Sequence, residues 1–233
     1  IELLKIPEPQ VGKYRSNPRL YSEVLPNLLK TYLQRTDFYY DALVIDEGQD
    51  FAPEAWEVIT MLIPEGAPCC IFYDPDQNIF TKELKLPDFG LPPVLLTKNC
   101  RNTRKIYEML KPYQTMASTI MDSAPEGADV HVLQGGCRVL LERELERLVM
   151  AEGVPLQDIV ILGGHSLEHT SIGENHDVGR FHIVERAPEI GAMEVSYFTY
   201  MKYKGCESKV VILLDVDEND ERWKNRHGIY TAM

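Results

Sequence analysis

Ala42-Leu43-Val44-Ile45 is an apolar run without alternation that opens into Asp46-Glu47-Gly48-Gln49-Asp50. That is the pattern of a strand buried on both faces whose carboxyl end carries polar groups. Cys69-Cys70-Ile71-Phe72-Tyr73 repeats it, ending in Asp74-Pro75-Asp76-Gln77-Asn78. Between the two, Pro53 to Ile63 reads as a helix with Trp56, Ile59 (or Thr60) and Ile63 on one face. Two buried strands joined by a helix predict a parallel βαβ unit, with both polar ends on one edge of the sheet. Upstream, residues 1 to 17 read as an extended lead-in. From Arg19 to Arg35, Leu20, Val24, Leu25, Leu28, Leu29, Tyr32 and Leu33 recur at helical spacing, and Pro26 predicts two short helices or a kink.

Thr81 to Pro93 is a loop rich in Lys, Pro and Gly, which places a domain boundary between residues 1–93 and 94–233. Beyond it the pattern predicts a strand at Val94–Thr97, a helix from Thr103 to Tyr113, a strand at Asp129–Leu133 and a helix from Arg138 to Met150. Ile159–Leu162 is a buried strand with Gly163-Gly164-His165-Ser166 as its polar exit. Glu168 to Glu194 has no clear period, and a short strand at Phe181–Val184 is left open. Val195–Tyr200 is a strand by alternation, and Val210–Leu214 a fully buried one that ends in Asp215 and Asp217. Asp217 to Asn225 reads as a charged connector, and His227 begins a last helix. Strands alternating with helices predict an α/β protein.

In 233 residues, 44% hydrophobic and 26% charged, there is material for one large or two small domains. No apolar run approaches the length of a membrane span, so no membrane association is expected. The first ten residues have neither signal-peptide nor transit-peptide character, and Ile1 is expected to be an internal start within a longer protein. A net charge of -12 argues against broad attraction to a nucleic-acid backbone but leaves room for a local basic groove. Five cysteines with no C-x-x-C spacing predict neither a disulfide framework nor a zinc site, and fit the reducing cytoplasm. His165, His169, His176 and His182 read as exposed loop histidines.

Five stretches in order resemble the superfamily 1 DNA helicases of the UvrD/Rep/PcrA type. Val44 to Phe51 resembles motif II, the family's Walker B; Phe72 to Phe80 resembles motif III; Leu96 to Asn102 is similar to motif IV. Tyr203-Lys204-Gly205-Cys206-Glu207 resembles motif V, and Tyr230 to Met233 the opening of motif VI. The resemblance implies RecA-like parallel sheets flanked by helices, a P-loop NTPase fold with its first domain truncated. Residues 1–93 would be the distal part of the first RecA-like domain and residues 94–233 the second. It implies ATP and Mg²⁺ as cofactors and single-stranded or duplex DNA as partner.

Phosphoryl transfer from ATP to water needs charge neutralisation, a positioned water and a sensor of the γ-phosphate. By resemblance, Asp46 holds the Mg²⁺ shell, Glu47 activates water, Gln77 senses the γ-phosphate and Arg101 stabilises the transferring group. Lys204, Gly205 and Glu207 would help bind the nucleotide, and Phe80 would stack on a DNA base. Plain alternatives stand beside these: an acidic turn for Asp46-Glu47, a surface ion pair for Arg101, a core aromatic for Phe80, a turn cap for Gln77 or Asp50, a solvated side chain for Lys204.

The departures from the family are equally specific. No G-x-x-x-x-G-K-[ST] loop occurs; Gly12-Lys13 lacks the first glycine and precedes Tyr14. The Thr-Arg that follows in motif VI is absent after Met233, Cys100 stands where the family has an aromatic, and Thr81-Lys82 replaces an aromatic-basic pair. The expectation is an ATP-driven helicase or translocase whose present 233 residues are inactive alone and self-associate through an uncovered sheet edge. The alternative is a non-catalytic RecA-like binding or regulatory module. A metal-dependent nuclease finds no second carboxylate cluster in support.

Overall fold

The computed structural model describes residues 17, 19–80, 84–88, 90 and 92–233. The expected lead-in up to residue 16, with Gly12-Lys13, and the Thr81-Lys82 position lie outside the described residues. The chain is mixed α/β and divides into two compact units after Val94.

In the first unit a five-residue π-helical turn, Leu20–Val24, runs directly into helix α1, Leu25–Leu33. Pro26 stands in the first turn of α1, where its missing N–H interrupts no intrahelical bond, so the change of helix type falls at the proline. Strand β1 (Leu43–Ile45) pairs in parallel with β2 (Cys69–Ile71), in the register Leu43↔Cys69 and Ile45↔Ile71, and helix α2 (Pro53–Thr60) connects them. The expected βαβ unit is therefore present. Trp56 and Val58 of α2 are buried, as are Leu20 and Leu33, and Lys30 Nζ meets Glu57 at 2.8 Å between the two helices. The expectation that β1 is buried on both faces is corrected: Val44 is 70% exposed. The sheet has two strands, and among the described residues nothing covers the Val44 face.

In the second unit β3 (Lys98–Asn99) pairs in parallel with β4 (Thr119–Ile120), with α3 (Arg104–Leu110) between them. The strand expected at Val94–Thr97 begins only at Lys98. Val94 is 89% exposed, and the ladder opens where the Thr119 N–H donates to the Thr97 carbonyl at 2.8 Å. Asp129–Leu133 forms no strand either; Val132 and its neighbours stay exposed, without the cross-strand partner that would give their β-branched side chains a packed face. Helix α4 (Cys137–Glu146) ends in a second π-helical turn, Arg147–Ala151.

The main sheet holds β5 (Ile159–Gly163), β6 (Asp177–Val178), β7 (Phe181–Val184), β8 (Glu194–Thr199) and β9 (Val210–Leu213), in the order β6-β7-β8-β5-β9. All neighbours are parallel except β6 and β7, which form a hairpin within the stretch that had no clear period. Gly179, at φ 59, fills the first position of its two-residue turn, where a left-handed backbone matches the strand twist. Leu141, Leu145 and Leu148 from the α4 side pack with Ile159, Ile161, Ile183, Val195 and Tyr197 in one core. All five residues of β5 are buried, whereas β9, expected to be fully buried, leaves Val211 exposed at the sheet edge. The connector after β9 contains a short helix α6 (Glu221–Lys224), preceded by α5 (Tyr200–Tyr203) and followed by α7 (Arg226–Ala232). Among the described residues no helix is long and apolar enough to cross a membrane.

Candidate functional site

The carboxyl ends of β1 and β2 meet on one edge of their sheet. The Phe72 N–H donates to the Ile45 carbonyl at 2.8 Å, and the Gly48 N–H donates to the Phe72 carbonyl at 2.9 Å, so pairing continues just past both strands. Between these bonds the chain reverses at Glu47, which adopts a left-handed conformation with φ 54, and enters a 3-10 turn at Gly48–Asp50. Gly48 is required by packing: a Cβ there would lie 2.6 Å from Ile71 Cγ2 and 3.5 Å from the Trp56 ring.

This turn drives the Gln49 side chain inward, to 1% exposure. Its Nε2 donates to Glu47 Oε2 at 2.5 Å, and its Oε1 accepts from the Asp74 N–H at 3.0 Å. Asp74 in turn caps the 3-10 turn Pro75–Gln77: Oδ1 accepts from the Asp76 N–H at 2.9 Å, and Oδ2 from Gln77 Nε2 at 3.1 Å. The cap of this turn is thus Asp74, and Gln77 is one of its donors. Burial pushes the Asp74 carboxyl above the ordinary carboxylate range; the hydrogen bonds from Asp76 and Gln77 oppose this, and the negative charges of Asp76 and Glu47 add to it.

Asp46 is exposed at the mouth of the turn, with Oδ1 accepting from the Glu47 N–H at 2.9 Å. Among the described residues no group of three or more His, Cys, Asp or Glu side chains is placed to hold a metal ion. A single open carboxylate suits Mg²⁺, which takes one or two protein carboxylates beside water and phosphate oxygens, and does not suit a caged structural cation. Phe80, three residues past Gln77, is half exposed and outside the core.

The first unit therefore gathers Asp46, Glu47 and Gln77 around two residues that the sequence pattern gave no role, Gln49 and Asp74. The available signal was the shared edge of two strands that both end in acid and amide.

The candidates of the second unit are more dispersed. Arg101 is exposed just after β3, in a turn held by Asn99 Oδ1, which accepts from the N–H groups of Arg101 at 3.3 Å and Asn102 at 3.1 Å. Lys204 and Gly205 form the turn after α5, with Gly205 at φ 82 and the Cys206 N–H donating to the Tyr203 carbonyl at 2.9 Å. Glu207 is exposed. The next two residues fix it near the start of β5: Ser208 Oγ donates to the Asp158 carbonyl at 2.8 Å, and Lys209 Nζ meets Asp158 at 2.7 Å. Glu207 thus stands toward the amino ends of β5 and β9, away from the carboxyl edge where open α/β sheets bind ligands.

That carboxyl edge carries a different cluster. His165 is an exposed loop residue, as expected, and its Nε2 lies 2.6 Å from Asp220 Oδ2. The Tyr197 hydroxyl donates to the His165 carbonyl at 2.6 Å, and Asp220 caps α6 by accepting from the Arg222 N–H at 2.8 Å. The Arg222 hydrogen bond first, and His165 second, hold the Asp220 carboxyl below its ordinary range. Tyr197 is pushed strongly upward by burial. Asp215, left-handed at φ 54, accepts from the Ser171 N–H at 2.8 Å. Gly164 sits beneath Arg222 and Trp223, where a Cβ would be 3.0 Å from the Trp223 indole nitrogen, so this edge is closed by the chain itself. No family model matches the chain, and no curated protein matches it.

Proposed function

We propose that the chain is part of an ATP-dependent DNA helicase or translocase, with residues 1–93 and 94–233 belonging to its two RecA-like domains. One observation carries this reading: Glu47 and Gln77, from two separate polar stretches, end in one hydrogen-bonded cluster at the carboxyl edge of a parallel βαβ unit. Water activation and phosphate sensing need a carboxylate and an amide in such a relation. Asp46 supplies the exposed carboxylate for Mg²⁺, whose role when bound is to neutralise phosphate charge. Arg101, Lys204 and Gly205 are the second unit's candidates on this reading, Glu207 is not supported by its place at the amino ends of β5 and β9, and the half-exposed Phe80 presents a ring to a DNA base.

The 233 residues contain no glycine-rich phosphate loop, so by themselves they are expected to hydrolyse ATP negligibly. The reading therefore requires a longer gene product that carries such a loop. That product should show ATPase stimulated by single-stranded DNA, and Glu47→Gln should lower kcat by about 10²–10⁴-fold. A missing loop, or an unchanged kcat in Glu47→Gln, would sink the reading. The second reading is a non-catalytic RecA-like module, favoured by Gln49 holding the Glu47 carboxylate within the fold. In that case Glu47→Gln changes stability and no turnover exists to lose.

A further inference from the structure

Three hydrogen bonds connect Gln77 to Glu47 across the two strand ends. Gln77 Nε2 donates to Asp74 Oδ2 at 3.1 Å, the Asp74 N–H donates to Gln49 Oε1 at 3.0 Å, and Gln49 Nε2 donates to Glu47 Oε2 at 2.5 Å. Every donor points toward Glu47. The Gln49 amide is one conjugated group, so the charge on Glu47 strengthens the bond from the Asp74 N–H behind it; at Asp74 the backbone N–H and the side-chain carboxylate are joined through single bonds, so the link on to Gln77 is positional. The orientation of the Gln49 amide is fixed by its partners: turned over, it would set NH₂ against the Asp74 N–H and oxygen against the Glu47 carboxylate.

Position 49 also admits little else. The side chain must donate at one end and accept at the other, span from the Glu47 carboxylate to the backbone of Asp74, and do so at 1% exposure, where water does not take over either bond. A glutamate would donate only when protonated; a serine or threonine would be too short.

We propose that Gln49 is the positioning residue that couples the Glu47 carboxylate to the Gln77 amide, so that a change at one is transmitted to the other through Gln49 and Asp74. For turnover, this rests on the reading of Glu47 as the water-activating group and Gln77 as the phosphate sensor. There, Gln49 would tie readiness for water attack to the presence of the γ-phosphate. The coupling itself requires only the geometry.

The test is a double-mutant cycle on the 233-residue chain, labelled with ¹⁵N-glutamine and read at the Gln77 side-chain amide by NMR. Glu47→Asn removes the charge, tolerates the left-handed backbone and adds no glutamine signal. It is expected to shift the Gln77 resonance in the otherwise native chain, and to shift it by less than about a fifth as much in a Gln49→Leu background. Gln49→Met is the second background, for use where Gln49→Leu fails to fold. It keeps the unbranched length of the side chain, loses the donor to Glu47, and should also uncouple the two positions. An equal response of Gln77 to Glu47→Asn with and without Gln49 would overturn the proposal, since the field of Glu47 would then act directly. No response in the native chain would overturn it too. If the cycle uncouples as expected and the full gene product shows no ATPase, the coupling stands and the helicase reading falls. If Glu47→Gln abolishes ATPase and the cycle shows no coupling, the outcome is the reverse.

Discussion

Strands β1 and β5 are written in nearly the same residues, Leu43-Val44-Ile45 and Ile159-Val160-Ile161-Leu162, yet the fold treats them differently. β5 lies between β8 and β9, and every one of its residues is buried. β1 has β2 as its single neighbour, and Val44 is 70% exposed. An unbroken apolar run records what a strand can tolerate on both faces; the surrounding elements decide whether either face is covered. The polar ends differ in the same sense. At β5 the carboxyl edge is closed by Trp223 and Arg222, whereas at β1 Asp46 stays open beside an internally bonded cluster.

The contrast can be broken or sharpened by experiment, and each unit carries its own reporter, since the two tryptophans are Trp56 in the first and Trp223 in the second. The largest effect is expected from Ile161→Ala, which leaves a cavity in the core and should cost about 2–5 kcal/mol in urea unfolding followed at Trp223. Val44→Ala, followed at Trp56, should stay within about 0.5 kcal/mol. Equal losses at the two sites would mean that the Val44 face is covered after all. Next in size, Gly48→Ala forces a methyl against Ile71 Cγ2 and should destabilise the first unit by about 1–3 kcal/mol at Trp56.

The smallest effects concern pH and have opposite signs in the two units. Asp74 is raised when folded, so the stability it contributes is present below the ordinary Asp pKa of about 3.9 and is lost as pH rises through its folded value. Glu144 is lowered, chiefly by its hydrogen bond with Arg147, so its contribution is present above the ordinary carboxylate pKa and is lost as pH falls through its folded value. Relative to the native protein, Asp74→Asn should therefore look more favourable at pH 7 than at pH 4, read at Trp56. Glu144→Gln, read at Trp223, should look less favourable at pH 7 than at pH 4. The same sign at both would remove the distinction between a carboxylate raised by burial and one held by a cation.

Much of the second unit was legible because its signals are local. Ile159–Leu162 and Val195–Tyr200 each carry enough apolar or β-branched residues to declare a strand, Phe181–Val184 stayed open as one, and α4 has a clear apolar face. Val94–Thr97 and Asp129–Leu133 carry the same signal, yet the first reaches a neighbour only through the Thr97 carbonyl and the second forms no strand, because composition describes a strand and does not provide its neighbour. The same limit applied to the site. Asp46, Glu47 and Gln77 stood out as polar groups at strand ends, but the importance of Gln49 and Asp74 arises from a register that brings position 49 against position 74. The partner of the exposed His165 was hidden for a related reason: Asp220 lies 55 residues away, at the cap of a short helix within a charged connector.

The left-handed backbone at Glu47 sets stability and chemistry against each other at a single position. A residue with a Cβ at φ 54 is strained, and glycine or asparagine would sit there more comfortably. Replacing Glu47 by either would relieve that strain but take the carboxylate acceptor from the buried Gln49 amide, so two terms of similar size oppose each other at one position. Position 47 thus keeps a strained backbone because the carboxylate it carries is bonded into the interior.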